Sequence, residues 1–109
     1  MKLLTKEILN QFKKQGNCSE KQANEVKVIA KFFNPVGSAT WYATEYHADE
    51  KMFYGFVSLF NDPACDEFGP FSLTELESIK LPLGLSIERD INFKSGSYTL
   101  QDLYNGKRP

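Results

Sequence analysis

One histidine and two cysteines are the whole supply of imidazole and thiol in this sequence, and that scarcity closes several routes at once. A zinc centre needs three or four such ligands at short spacings, and His47 has no second histidine or placed thiol to complete a set. Cys18 and Cys65 belong to no Cys-x-x-Cys pair. They read as free, small core-type residues in a reducing compartment, and nothing in their spacing supports a disulfide. No apolar run is long enough to cross a bilayer. The opening Met1-Lys-Leu-Leu-Thr-Lys-Glu7 is broken by charge before an export core can form. The Gly-x-Gly-x-x-Gly fingerprint, the phosphate-loop lysine motif and the Gly-x-Ser-x-Gly elbow do not occur. Internal repeats and low-complexity segments are missing too. Together these absences predict a cytoplasmic, non-enzymatic protein that needs no cofactor or metal and binds no membrane.

What is present fits one globular domain over residues 1–109, long enough to bury a core without staples. With 41% hydrophobic and 25% charged residues, the balance is that of a folded chain and argues against disorder. The aromatic share of 14% is high. Most of those rings are expected to pack the core, and the surplus to remain at the surface for contact.

The net charge of −1 conceals an uneven distribution. Residues 1–44 carry seven lysines against Glu7, Glu20 and Glu25, whereas residues 45–102 carry eleven carboxylates against Lys51, Lys80, Arg89 and Lys94. A basic front and an acidic body point toward charged partners.

Periodicity places the elements. Leu4–Lys14 reads as an amphipathic helix with Ile8, Leu9 and Phe12 on one face, Thr5 as cap and lysines in the last turn. Cys18–Asn24 reads as loop. Three strand-like runs follow: Glu25–Phe33, with Val26, Val28, Ala30 and Phe32 facing one way and Lys27, Ile29 and Lys31 the other; Ala39–His47; and Met52–Phe60. Short polar turns between them favour an antiparallel meander. Residues 61–70 read as irregular. Ser72-Leu-Thr-Glu75 is a capping box opening a short helix that Pro82 stops. Leu85–Lys94 alternates as a strand, with Arg89 falling on the apolar side, and Thr99–Tyr104 suits a last helical turn closed by Gly106. The fold class is α+β, a mainly antiparallel sheet of four to five strands with short helices packed on one face. A curved, half-closed barrel is the alternative.

Candidate chemistry is thin. His47 ends a strand beside Asp49 and Glu50 and reads as an exposed turn histidine rather than a general base or metal ligand. A Cys65–His47 pair would need a third, orienting group, and no local signature supplies one. The Asp62–Glu67 loop lacks the acid spacing and central glycine of a calcium loop. Lys6, Lys13, Lys14, Lys27 and Lys31 suit a solvated face better than a phosphate track, so no direct nucleic-acid partner is expected.

The sharper expectation concerns the acids. Glu45, Asp49 and Glu50 lie around the second turn, and Asp62, Asp66 and Glu67 around the following loop, with Tyr46 and Phe68 beside them as aromatic anchors. If strand pairing gathers them, they form a docking site for a basic protein surface, the acids pairing with Arg and Lys and the rings fixing affinity.

The strings Met1-Lys-Leu-Leu-Thr-Lys, Thr40-Trp-Tyr-Ala-Thr-Glu-Tyr46, Phe68-Gly-Pro-Phe-Ser-Leu-Thr-Glu-Leu-Glu77 and Gly84-Leu-Ser-Ile-Glu-Arg-Asp90 resemble a family of small single-domain bacterial proteins of uncharacterised function, typically carried on plasmids and other mobile elements. The resemblance covers nearly the whole chain except residues 15–25 and carries over no catalytic residues. By size and type the chain is also similar to small anti-CRISPR proteins that block type II RNA-guided DNA nucleases. The resemblance implies a mobile-element inhibitor that binds the basic surface of a nucleic-acid-processing enzyme, a CRISPR nuclease foremost. The alternative is an interaction module of plasmid maintenance or transfer machinery, with a homodimer left open.

Overall fold

Helix α1 (Lys6–Gln15) starts where Thr5 Oγ1 accepts from the Ile8 N–H at 3.3 Å, and it stops at Gly16. There a φ of 65° lets the glycine N–H reach back to the Phe12 carbonyl. Glu7 in the first turn and Lys13 and Lys14 in the last complement the helix dipole. Phe12 is the residue this helix buries, with Ile8 half-buried beside it. The computed structural model describes every residue except Met1 and Asn61, so Asn61, at the head of the segment expected to be irregular, lies outside the described residues.

Five strands follow: β1 (Ala30–Phe33), β2 (Thr40–His47), β3 (Met52–Ser58), β4 (Glu67–Ser72) and β5 (Glu88–Arg89). They form one sheet in the order β4-β3-β2-β1-β5, with each neighbouring pair antiparallel. Helices α2 (Leu73–Ser78) and α3 (Leu100–Tyr104) complete the α+β fold. The sheet keeps two edges, β4 and β5, so it does not close into a barrel. Among the described residues no helix is long and apolar enough to cross a membrane.

Strand alternation divides the core into two clusters. Trp41 and Ala43 point to one face and Tyr42 to the other. The first face packs Phe32, Phe53 and Phe71 under α1 and α2, through Phe12, Leu73 and Leu76. Phe53 is its centre, with ring centroids of Phe32, Tyr46 and Phe71 at 5.2, 4.7 and 5.1 Å. The second, smaller face packs Val26, Val28, Tyr42 and Phe56 under Leu100 and Leu103 of α3. The helices therefore divide between the faces, α1 and α2 on one and α3 on the other, where the sequence reading had grouped them together.

Four local differences have physical causes. The run 25–33 splits: Val28 donates to the Tyr98 carbonyl and accepts from Gly96, and only Ala30–Phe33 pairs with β2. Ile29, expected among the polar residues, is buried with Ala30 and Phe32 in one cluster while Val28 packs in the other, because the alternation breaks where β1 begins at Ala30. The end of the segment read as irregular forms the first part of β4, whose Gly69 and Pro70 disguise a strand. Pro70 is tolerated because β4 is an edge and half its amides owe no ladder bond. The alternating run 85–94 contributes only Glu88–Arg89, because Asp90 Oδ1 accepts from the Asn92 N–H at 2.9 Å and turns the chain, leaving Ile91 exposed. Arg89, out of phase in that run, donates to the carbonyls of Lys2 and Leu3 and so ties β5 to the N-terminal segment.

Candidate functional site

A β-bulge decides which side chains reach the second face. The β2–β3 register shifts between Ala43 and Glu45, making Thr44 the inserted residue. Thr44 is fully buried, and its hydroxyl donates to the Tyr54 carbonyl at 3.1 Å. Uninterrupted alternation would set Glu45 beside Trp41 and Ala43, and Tyr46 on the face of Tyr42. The extra residue reverses both. Tyr46 packs at 5.9 Å from Phe12 and 4.7 Å from Phe53, inside the first cluster. It is therefore a half-buried core ring, and the expectation that it serves as a surface anchor is corrected.

Two residues make the bulge possible. Gly55 lies against it so closely that a β-carbon there would meet the Tyr42 carbonyl oxygen at 2.0 Å. Gln15, the last residue of α1, donates through Nε2 to the carbonyls of Lys27 (2.7 Å) and Thr44 (2.6 Å), and its Oε1 accepts from the Lys27 N–H at 2.9 Å. One amide side chain thus satisfies backbone groups that the bulge and the split first strand leave without ladder partners.

The result is a groove of about 530 Å³ on the second face. Glu45, His47, Tyr54 and Phe68 line its sheet side, Leu100 and Tyr104 of α3 one wall, and Cys18 and Lys21 the other. The register explains the assembly. Glu45 stands directly opposite Tyr54, and Phe68 directly opposite Phe56, two residues along from the Tyr54–Pro70 pair. Tyr104 meets Phe56 edge-on at 5.7 Å. Three partly exposed rings, Tyr54 (37%), Phe68 (42%) and Tyr104 (52%), consequently border one concavity.

Glu45 is the polar hub of the groove. One carboxylate oxygen accepts from the Cys18 N–H at 2.8 Å and the other pairs with His47 Nε2. The Glu45 side chain is 13% exposed and that of His47 36%. His47, expected as an exposed turn residue, instead lines the groove with its ring edge-on to Tyr54. Burial pushes the Cys18 thiol above its ordinary range, the Glu45 carboxylate adds to this, and Lys21 opposes it. The Cys65 thiol is raised as well, chiefly by the Asp62 carboxylate. A raised thiol stays protonated at neutral pH and is a poor nucleophile. Among the described residues no three His, Cys, Asp or Glu side chains come together as metal ligands.

The acids do not gather on one surface. Asp49 and Glu50 lie exposed in the β2–β3 turn, whereas Asp62 and Asp66 lie beyond the other end of β3 and Glu67 stands opposite Val57 near that end. The His47–Met52 and Val57–Glu67 pairs are five residues apart along β3, about 17 Å at the strand rise. Asp62 Oδ1 accepts from the Ala64 N–H and caps a 3-10 turn at Pro63–Cys65. Asp66, with a side chain only 4% exposed, is held by Arg108 at 2.7 Å, and the guanidinium also lies over the Phe56 ring at 4.8 Å. Of the eight residues singled out, the structure brings Glu45 and Phe68 into one groove, with Glu67 next to Phe68 in the strand. Tyr104, Lys21, Cys18 and Gln15 were missed, since each arrives from an element distant in sequence and carries no local pattern.

A family model described as protein of unknown function (DUF2958) matches residues 3–103, nearly the whole fold and every residue of the groove except Tyr104. Comparison with curated proteins and with solved structures gave no match. On that match the chain belongs to the DUF2958 family of proteins of unknown function.

Proposed function

We propose that this protein is a non-enzymatic inhibitor carried by a mobile element, acting by binding a basic, nucleic-acid-processing host enzyme, with a type II RNA-guided DNA nuclease as the first candidate. The observation that carries the reading is the groove bordered by Tyr54, Phe68 and Tyr104 around the Glu45 carboxylate. Exposed rings beside a buried anion suit an inserted arginine or lysine, which gains a charge-assisted hydrogen bond and ring-face attraction together. The two raised thiols favour binding over covalent catalysis. Because the acids are dispersed, the contact is aromatic-anchored rather than a sheet of negative charge imitating DNA.

The test is a cleavage assay with purified nuclease, guide RNA and target DNA. Saturating protein is expected to suppress cleavage, and Phe68→Ala to relieve the suppression. Unchanged cleavage at saturation would remove the reading.

A further inference from the structure

We infer that Leu83 is a second partner anchor: a leucine presented on a rigid loop to fill an apolar pocket bordered by basic side chains on the bound protein. Leu83 is 95% exposed and has backbone angles of φ 63° and ψ 25°. Exposure by itself means little, since single surface leucines are common. The left-handed backbone is different: a bulky residue pays for that conformation through its β-carbon, where glycine or asparagine would not. Among the described residues Lys51 is the other non-glycine residue with positive φ, but it sits in the β2–β3 turn and presents a solvated cation. Leu83 therefore burdens the fold twice, through its backbone and through its uncovered side chain, and contributes no core contact in return.

The loop that carries it is held, not loose. Leu81 N–H donates to the Leu85 carbonyl at 3.0 Å, Leu85 N–H donates to the Pro82 carbonyl at 3.3 Å, and Lys80 and Ser86 form an antiparallel bridge. Proline presets φ at the first position of the turn. Ile79 and Leu81 pack against the first cluster and root the loop in the core. A pre-ordered apolar tip loses little entropy on docking, which is the economy expected of a binding anchor.

The surroundings select the partner. Over residues 72–88 there are three carboxylates, Glu75, Glu77 and Glu88, and one cation, Lys80, with Glu75 and Glu77 exposed on α2. Such a setting repels an anionic bilayer and complements a basic protein surface. The inference rests on the proposed binding of a basic enzyme and adds a contact on the face opposite the groove.

The experiment compares wild-type protein, Leu83→Gly and Leu83→Met in the nuclease cleavage assay and by thermal melting. Leu83→Gly is expected to melt at or above the wild-type temperature while requiring about tenfold more protein for half-inhibition. Leu83→Met should inhibit nearly as wild type does. Equal inhibition by Leu83→Gly would overturn the anchor and leave the inhibitor reading standing, whereas a wild-type protein without effect on cleavage would overturn both. A lower melting temperature for Leu83→Gly would make the leucine structural. Leu83-dependent flotation with phosphatidylcholine–phosphatidylserine vesicles, or Leu83-dependent dimerisation in sedimentation, would reassign it to a membrane or a second copy and likewise overturn the inference.

Discussion

Gly55 and Tyr42 approach so closely that the hydrogen of the glycine occupies the only space available: a β-carbon in its place would stand 2.0 Å from the Tyr42 carbonyl oxygen. Backbone, not a flexible side chain, is what it would strike, so the clash cannot be relieved by a rotamer change. Gly55→Ala is expected to cost about 3 kcal/mol or more. A fall in the urea midpoint, accompanied by loss of the His47–Glu45 pairing in NMR, is the measurement. An unchanged midpoint would show that the bulge does not depend on this contact.

The Gln15 amide is predicted to be worth more than its surface position suggests. Its three hydrogen bonds join α1 to both Lys27 and the bulge at Thr44. Gln15→Ala leaves those backbone groups to find water or go unpaired, at about 1–3 kcal/mol. Hydrogen exchange at the Lys27 amide should accelerate selectively. Gln15→Glu keeps the acceptor and loses the donors, so it should protect the Lys27 amide while still destabilising.

Arg108 neutralises a carboxylate that is almost wholly buried. Asp66 Oδ1 has no hydrogen-bond partner among the described residues, so the other oxygen and Arg108 carry the whole compensation. The Arg108 side chain is about one-third exposed, which screens the pair and lowers its worth below that of a sealed ion pair. Arg108→Ala is expected to destabilise by about 1–3 kcal/mol. Asp66→Asn should recover part of that loss in the Arg108→Ala background, since it removes the stranded charge.

Acid sensitivity should trace partly to α3. The Thr99 backbone N–H, foremost, holds the Asp102 carboxyl below its ordinary 3.8, with Lys107 assisting. Because the folded value is the lower one, this stabilisation is fully present above the unfolded value and is lost as pH falls through the folded value. Asp102→Asn cannot titrate. Its urea midpoint should therefore fall less between about pH 6 and about pH 3 than that of the wild-type protein.

Phe68 separates binding from stability. Its ring is 42% exposed on an edge strand, so Phe68→Ala should lower stability by only about 1 kcal/mol, far less than a core phenylalanine. Phe53→Ala, at the centre of the first cluster, should cost about 3–5 kcal/mol. Partner binding that survives Phe68→Ala would exclude the groove as the contact.

Local chemistry made most of the elements legible. Thr5, Ser72 and Thr99 each cap a helix as their hydroxyls require, and the β-rich runs at 39–47 and 52–60 became β2 and β3. Those outcomes depend on neighbours within a few residues, which a sequence displays directly. β4 was hidden because Gly69 and Pro70 argue against a strand everywhere except at an edge, and whether a segment lies at an edge is set by the rest of the sheet. The groove escaped for the same reason. One inserted residue at Thr44, allowed by a glycine on the neighbouring strand, turned Tyr46 into the core and Glu45 with His47 out of it. The sequence by itself determined which segments are helix or strand and how much charge and ring surface they carry. Only the tertiary structure decided which of those side chains meet, because side-chain facing follows strand register, and register is a property of pairs of strands rather than of either one.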